Sequence, residues 1–438
     1  MATGYAYRVF GTPTDAKKWT FSAWCKKGTE GTSHIFGGGA TGQTGDGHSY
    51  LGLIPEFYGT YYDGSSSVWS TISNAKYRDV SGWYHYMFVY DSAQATASNR
   101  IKGYINGEQI TSFDTATYPS QNYSTMWNNN GITHYLGRRG QSQSFEGSLS
   151  HVHFCDGYAY TPSSFGSTDS TTGEWKINIS PSVSYGTNGF WLFKNDASMT
   201  DQSPNSNNFT LSGSITPTQD CPSNVFATLN PLDKGGDVNT VINGNTSATW
   251  NATSGHTIRS TLAVSKGKYY WELNNANNLT VGIVSTEEPI IPTSGNLFPG
   301  GSGFGTGSYS YRLTDGYKGN NNTFSSYGSA ITTSDILGCA LDLDNGKIYW
   351  SKNGVWQNSA DPANGTNPAF TGISSDKTWS PAYGYVGGGA NTLNVNYGNG
   401  YFGTTAVSSA GTNASGIGIF EHDCPAGFTA LSTKGLNL

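Results

Sequence analysis

"ALDLDNGKIYWSKNGVW", residues 340–356, holds two Asn-Gly dipeptides, Asn345-Gly346 and Asn353-Gly354, on either side of "KIYWSK". Asn-Gly tolerates the positive φ that both central residues of a type I′ hairpin turn require. The stretch therefore predicts a three-stranded meander in which "CALDL" turns into "KIYWSK" and turns again. Side chains alternate along a strand, so Ile348 and Trp350 are expected on one face and Lys347, Tyr349 and Ser351 on the other. Trp350 is expected in the core against Trp271 or Ile283, where burying the ring contributes about 1.5–3 kcal/mol.

The rest of the chain reads the same way. Helical periodicity is almost absent, and short strand-like runs such as "WTFSAWCKK", "YHYMFVYD", "RIKGYING", "KYYWELNN" and "TLNVNYG" recur between Gly/Asn/Ser/Asp clusters, the pattern of an all-β sandwich. "YHYMFVYD" is apolar or aromatic at nearly every position, as a strand covered on both faces would be. Asn106-Gly107, between "IKGYI" and "EQITSF", is a third hairpin signal.

Composition bounds the function. The 438 residues include 28 tyrosines and 12 tryptophans but only 12% charged residues, ample for packed cores and unlike a disordered chain. The net charge is −6 with no Lys/Arg run, so no nucleic-acid partner is expected. No signal peptide and no membrane-spanning run are legible. Cys25, Cys155, Cys221, Cys339 and Cys424 are odd in number and far apart, which predicts free, mostly buried thiols in a reduced compartment.

An internal repeat sets the expected boundary. "QDCPSNVFATLNPL" ends at Leu232 and "HDCPAGFTALSTKGL" at Leu436, pairing Asp220 with Asp423, Cys221 with Cys424 and Pro222 with Pro425. Each copy is expected to close its own sandwich, Phe226 and Leu229 plugging domain 1–232 and Phe428 and Leu431 plugging domain 233–438.

In the first block, "WTFSAWCKKG", "SGWYHYMFVYDSAQATASNRIKGYINGEQI", "HYLGRRGQSQSFEGSLSHVHFCDGYAYTPSSFG" and "GFWLFKNDASMTDQSPNSNNFTLSG" occur in an order that resembles the laminin-G-like, concanavalin-A-like jellyroll family. "YTPSSFGSTDSTTGEWK", "YGTNGFWLFKNDASMTDQSPNSNNFT" and "FATLNPL" further resemble a module of bacteriophage virion proteins. The opening stretch is short against that pattern, as if part of the usual first strand were missing. In the second block "GKYYWELNN", "VGIVS", the double-turn stretch, "WSPAYGY" and "TLNVNYG" stand in the order found in SPRY domains. The fold class expected is all-β, two tandem antiparallel β-sandwich (jellyroll) domains, concanavalin-A-like.

Candidate sites are few. Asp342 and Asp344 share a strand face but flank a turn, where Asp is ordinary, and the Glu-x-Asp-x-Glu strand of concanavalin-A-like glycosidases is absent. Asp201, Ser203, Asn205 and Asn208 offer oxygens at calcium-like spacing, with an Asx-rich turn as the plainer account. His151 and His153 are read as satisfied strand histidines rather than metal ligands, and Arg138-Arg139 as a solvated strand edge rather than an anion site. "EFYGTYYDGSSSVWS" is read as a loop whose Tyr58, Tyr61, Tyr62 and Trp69 either stack on sugar rings or fill a gap between the sandwich and a neighbour. No catalytic residue, metal or cofactor is expected.

The resemblance implies a non-enzymatic virion protein made in the host cytoplasm: a tail fibre, spike or capsid appendage. Its partners would be other virion subunits, a homo-oligomer (trimer favoured), and a host surface glycan or receptor touched through loops. The rivals are a capsid decoration protein without ligand, a glycan-depolymerising enzyme and a bacterial lectin.

Overall fold

In the computed structural model the described residues are 4–29, 31, 33–39, 47–140, 142–194, 197–236, 238–250, 256–291, 296–385 and 391–437. None of their helices is long and apolar enough to cross a membrane. The chain forms two compact units, Met1–Pro217 and Thr218–Leu438.

The first unit packs an eight-stranded on a six-stranded antiparallel sheet. The larger runs, in spatial order, Phe113–Thr117, Ser67–Lys76, Glu56–Tyr62, His48–Leu53, His34–Gly39, Thr133–Leu136, Tyr5–Val9 and Thr210–Ser212. The opening stretch thus does supply a strand, Tyr5–Val9, paired on both sides. The smaller sheet runs Phe190–Leu192, Gly147–Asp156, Lys18–Lys27, Tyr84–Asp91, Ile101–Ile105 and Glu108–Gln109. Trp19, Phe36, Trp69, Phe88 and Phe154 meet between the sheets. Strand Tyr84–Asp91 is covered on both faces, as its sequence suggests. Tyr86, Phe88 and Tyr90 enter the inter-sheet core, while Met87 and Val89 lie under Phe165 and Tyr185 of the segment that follows Asp156. Asn106-Gly107 is the expected two-residue turn, with φ of 48° and 82° between paired Ile105 and Glu108.

The second unit packs Leu229–Lys234, Thr257–Ser260, Trp379–Tyr385, Leu279–Ser285, Ser308–Arg312, Tyr317–Asn320 and Thr323–Ser326 as one sheet. The other sheet orders Val238–Ile242, Ser247–Trp250, Asn391–Asn396, Lys268–Asn274, Leu337–Asp342, Lys347–Lys352 and Val355–Trp356. The last three form the predicted meander. Its two turns differ. Asn353-Gly354, with φ of 48° and 79°, is a two-residue turn between Lys352 and Val355. The first turn is longer, because Asp342 pairs with Lys347 and leaves residues 343–346 as the loop. The Asp342 carboxylate accepts both the backbone N–H and the side-chain amide of Asn345, which widens the turn. Only Gly346 there has positive φ, 62°, and a Cβ on it would stand 2.8 Å from the Ile373 carbonyl oxygen. Gly346→Val should therefore lower the second unit's melting temperature, by about 1–3 kcal/mol of stability. An unchanged second transition in a calorimetric scan would contradict the strain.

Trp350 is fully buried in the core that also holds Trp271 and Ile283. Its nearest aromatic neighbours are Tyr311, at 5.6 Å between ring centroids, Tyr327 and Phe370. Ile348 shares that core, and Tyr349 faces the other way.

The repeat is where the structure departs most from expectation. The boundary lies before the first copy, between Pro217 and Thr218, rather than after Leu232. Both copies belong to the second unit, and they pair with each other. Phe226 bridges Ser432, Ala227 donates to the Leu431 carbonyl at 2.9 Å, and Thr433 donates to the Val225 carbonyl at 2.9 Å. Phe226 and Leu229 therefore do not plug the first sandwich. The two copies do play matched roles: Leu229 and Leu431 enter the inter-sheet core, while Phe226 and Phe428 lie on the sheet's outer face with Tyr270, Tyr349 and Phe420. Thr429–Ala430 also adds a short parallel pairing to Tyr269 and Tyr270.

Glu272 holds this cover down. Its carboxyl is fully buried and accepts the backbone N–H groups of Glu421 and His422, each at 2.8 Å, and the Tyr270 hydroxyl at 2.9 Å. Burial raises its pKa to about 7 against an ordinary 4.5, with the Glu421 charge adding to the shift. The fold then binds a proton that the unfolded chain has lost. This contribution is complete below pH 4.5 and disappears as pH rises through about 7. The neighbouring His422, whose pKa is lowered by burial, acts in the opposite sense. The difference in stability between wild type and Glu272→Gln should therefore narrow in the glutamate's disfavour from about pH 5 to about pH 8. A pH-independent difference would contradict the buried acid.

Candidate functional site

"EFYGTYYDGSSSVWS" is not a loop. Glu56–Tyr62 and Ser67–Lys76 are neighbouring strands of the eight-stranded sheet, and only residues 63–66 turn between them. Strand alternation then divides the four candidate aromatics. Tyr61 and Trp69 point into the core, Trp69 stacking on Phe88 at 5.2 Å. Tyr58 and Tyr62 stand half-buried on the opposite face.

There they join residues that sequence reasoning did not connect. Tyr58 stacks on Tyr50 at 5.1 Å with planes 4° apart, and their hydroxyls are 3.2 Å apart. Tyr62 stacks on His48 at 5.2 Å. The guanidinium of Arg139 lies 4.4 Å from the Tyr50 ring centroid and donates from Nη2 to His48 Nε2 at 3.0 Å. That acceptor role keeps His48 neutral at Nε2. Burial first, and the Arg139 charge second, lower the pKa of His48 and bring that of the enclosed His34 down to about 4.

Arg138 makes the mirror contact. Its guanidinium is 4.2 Å from the Tyr5 centroid and 6.0 Å from Tyr135, and Tyr5, Tyr7 and Tyr135 pack mutually within 6.5 Å. Arg138-Arg139 is therefore not a solvated edge. Its backbone crosses the sheet over Gly37, where a Cβ would stand 2.8 Å from the Arg138 carbonyl oxygen. The glycines of "HIFGGG" make room for two arginines to diverge onto two sets of tyrosines.

The other candidates are structural. Asp201 accepts the backbone N–H groups of Trp191, Ser203 and Asn207 and the Ser203 hydroxyl, all at 2.7–2.9 Å. Four donors directed at one carboxylate make a turn and leave no oxygen for calcium. The Asn208 side-chain oxygen accepts the Asp201 N–H at 2.9 Å, and Asn205 donates its amide to the carbonyls of Gly186 and Gly189. Calcium or a chelator should accordingly leave the first unit's melting temperature within about 1 °C; a calcium-dependent rise of several degrees would restore the ion-site reading.

His151 and His153 are separated by a bulge in the pairing with Lys18–Lys27, with His151 at φ 46°. His153 Nδ1 meets the Tyr185 hydroxyl and His151 Nδ1 meets Ser150, at 3.0 and 2.8 Å. Ser22 Oγ lies 2.8 Å from His85 Nε2, the spacing of a nucleophile and its base. But Trp175 Nε1 donates to His85 Nδ1 at 3.0 Å, so the ring proton sits on Nε2 and points at the serine. This is the wrong tautomer for proton removal, on a side chain with no exposure. Asp342 pairs with Lys268 at 3.1 Å, and Asp344 accepts the Gly267 N–H at 2.7 Å. Among the described residues no three His, Cys, Asp or Glu side chains group as a metal site would need. The five cysteines are unpaired, four of them buried and Cys221 half-buried.

Residues 3–164 match the family described as the concanavalin A-like lectin/glucanases superfamily, and residues 268–399 match the SPRY domain. The chain joins a concanavalin-A-like module to a SPRY domain. It is 32% identical over 126 residues to an ATP-dependent RNA helicase, DDX1, of Xenopus laevis, and 35% identical over 102 residues to its namesake of Drosophila melanogaster. Those matches cover 29% and 23% of this chain but only 16% and 12% of the helicases. The solved SPRY domain of human HERC1 aligns at 16% identity over 38% of this chain and 96% of its own, with a TM-score of 0.30. A pentraxin from Limulus polyphemus aligns at 16% identity over 36% of this chain and 71% of its own, with a TM-score of 0.27. The arginine–tyrosine face lies in the concanavalin-A-like module. The repeat lies outside the matched SPRY residues, with one copy before them and one after.

Proposed function

We propose that the chain is a non-enzymatic structural and adhesive component of a bacteriophage particle: a tail fibre, spike or capsid-surface appendage. It works with other virion subunits as a homo-oligomer, a trimer in the simplest case, and touches a glycan or receptor on the host surface. The observation that carries the adhesive part is the row of half-buried tyrosines with two stacked arginines on the outward face of the concanavalin-A-like module. Contact is assigned to this sheet face rather than to loop tips. The virion part is supported by the segments 160–176, 185–210 and 226–232, which resemble phage virion modules. Helicase activity belongs to relatives of which this chain spans 16% and 12%. With a net charge of −6 and no basic run, we assign the chain no nucleic-acid role.

Competition tests the proposal. Purified full-length chain added to host cells should slow adsorption of the particle, because it occupies the same surface group. Undiminished adsorption at saturating chain would overturn the adhesive assignment.

A further inference from the structure

The chain holds eight Asn-Gly dipeptides, beginning at Asn106, Asn130, Asn188, Asn243, Asn345, Asn353, Asn364 and Asn399. An asparagine before a glycine is reactive as well as turn-forming, because no Cβ shields the glycine nitrogen from the asparagine side chain. The reaction needs an exposed glycine N–H that can lose its proton to a base. It needs an asparagine Cγ free to swing onto that nitrogen. It is opposed by a nearby anion, since negative charge develops as the ring closes.

The fold withholds at least one of these conditions from seven of the eight. Asn188 and Asn399 are buried. The side-chain oxygens of Asn106 and Asn353 are held by the backbone N–H groups of His85 and Ile336, each at 2.8 Å. Asn345 and Asn364 donate their amides to the carboxylates of Asp342 and Asp361. The Gly131 N–H, which follows Asn130, donates to the Phe10 carbonyl at 2.9 Å. Asn243 differs. It and Gly244 are both exposed, in the loop 243–246 between Val238–Ile242 and Ser247–Trp250. Among the described residues the Gly244 N–H has no acceptor and the Asn243 side-chain oxygen no donor. The Asn243 amide nitrogen, the group that would leave, has one neutral partner, the Ser247 hydroxyl at 3.1 Å.

We infer that Asn243 is a self-modification site that converts, without an enzyme, to aspartate and isoaspartate. The deprotonated Gly244 nitrogen attacks Asn243 Cγ and a C–N bond forms, closing a succinimide ring. The Cγ–Nδ2 bond breaks, and ammonia departs with the proton that the glycine nitrogen gave up. Water then opens the ring. Cleavage between the nitrogen and Cγ gives aspartate. Cleavage between the nitrogen and the main-chain carbonyl carbon gives isoaspartate, whose backbone runs through Cγ and is one methylene longer. Both products add a negative charge. Isoaspartate also disturbs a loop in which Asn243, Gly244 and Asn245 all hold positive φ, 57°, 66° and 65°. That loop accepts the Leu229 N–H at the Asn245 carbonyl and the Val395 N–H at the Thr246 carbonyl, both at 2.8 Å. The change therefore reaches the first repeat copy and the neighbouring strand Asn391–Asn396 of the second unit.

The full-length chain is incubated at mildly alkaline pH, and each Asn-Gly peptide is quantified by mass spectrometry over time. The Asn243 peptide should gain the mass of amide-to-acid exchange about tenfold faster than any of the other seven, each of which must first break a hydrogen bond or unbury a group. Fragmentation of that peptide should show isoaspartate beside aspartate. In denaturant the eight rates should converge, because every attacking nitrogen belongs to a glycine. The second unit of the aged chain should melt lower in calorimetry while the first is unmoved. Asn243→Gln, with one more methylene before the amide, should abolish the fast conversion; if this variant melts below wild type, the wild-type time courses decide alone. No conversion at Asn243, another Asn-Gly converting as fast, the same lead in denaturant, or aspartate without isoaspartate would each overturn the assignment. An aged chain with an unmoved second transition would overturn the effect on the loop.

Discussion

A chain ending at Asp423 should lose its second unit and keep its first. The cut removes Cys424, Phe428, the Thr429–Ala430 pairing and Leu431, and the two large side chains among them are 2% and 0% exposed. Leu431 fills the inter-sheet core. Phe428 covers Tyr270 and Tyr349 on the outer face, where Phe226 of the first repeat copy loses its partner strand. Truncating a buried Phe costs about 3–5 kcal/mol and a buried Leu about 2–5 kcal/mol. Together they approach the whole stability of an ordinary domain, roughly 5–15 kcal/mol. Calorimetry should show the first unit's transition in place and the second abolished, with dye binding to the uncovered sheet face. A truncated chain that melts like the full one but no longer assembles would mean that the segment is a connector to a neighbouring subunit.

The second large effect is expected in the first unit, at Asp156. This side chain has no exposure and accepts from the backbone N–H groups of Thr14, Asp15 and Asn188 and from the Asn128 amide. Asn188 in turn donates to the Gly11 carbonyl and the Asn128 side-chain oxygen, and the Asn128 N–H donates to His134 Nε2. One carboxylate thus anchors the 11–15 segment that leads into strand Lys18–Lys27. Asp156→Ala would leave four donors without an acceptor in a buried place. Each such loss costs about 1–3 kcal/mol, not additively, so about 3–5 kcal/mol is expected in chemical denaturation of the first unit. Asp156→Asn retains one acceptor oxygen and should lose less. A change below about 0.5 kcal/mol for the alanine variant would contradict the anchoring role.

The meander, the two-residue turns at Asn106-Gly107 and Asn353-Gly354 and the doubly covered strand Tyr84–Asp91 were legible because local φ preference and alternation decide them. The turn at Asn345-Gly346 was misread because a side chain outside the dipeptide, Asp342, claims Asn345 and lengthens the loop. The aromatic segment 56–70 was misread because "DGSSS" suggested a long loop, although its period of two already separated Tyr58 and Tyr62 from Tyr61 and Trp69. The repeat was visible, but the partner of each copy was not. The pairing of Val225 with Thr433 joins residues some two hundred apart, and no local pattern encodes it. The arginine–tyrosine face was hidden for the same reason. Its members come from four segments, and only the sheet order brings Tyr5, Tyr50 and Arg138-Arg139 together.

The most direct test of the account is cryo-electron microscopy of the intact particle. The account predicts symmetric copies of two β-sandwiches on the tail or the capsid surface, with the Tyr5–Tyr50–Arg138 face of the first turned outward. A complete particle map with no density for this chain, or with that face buried against the shell, would contradict it.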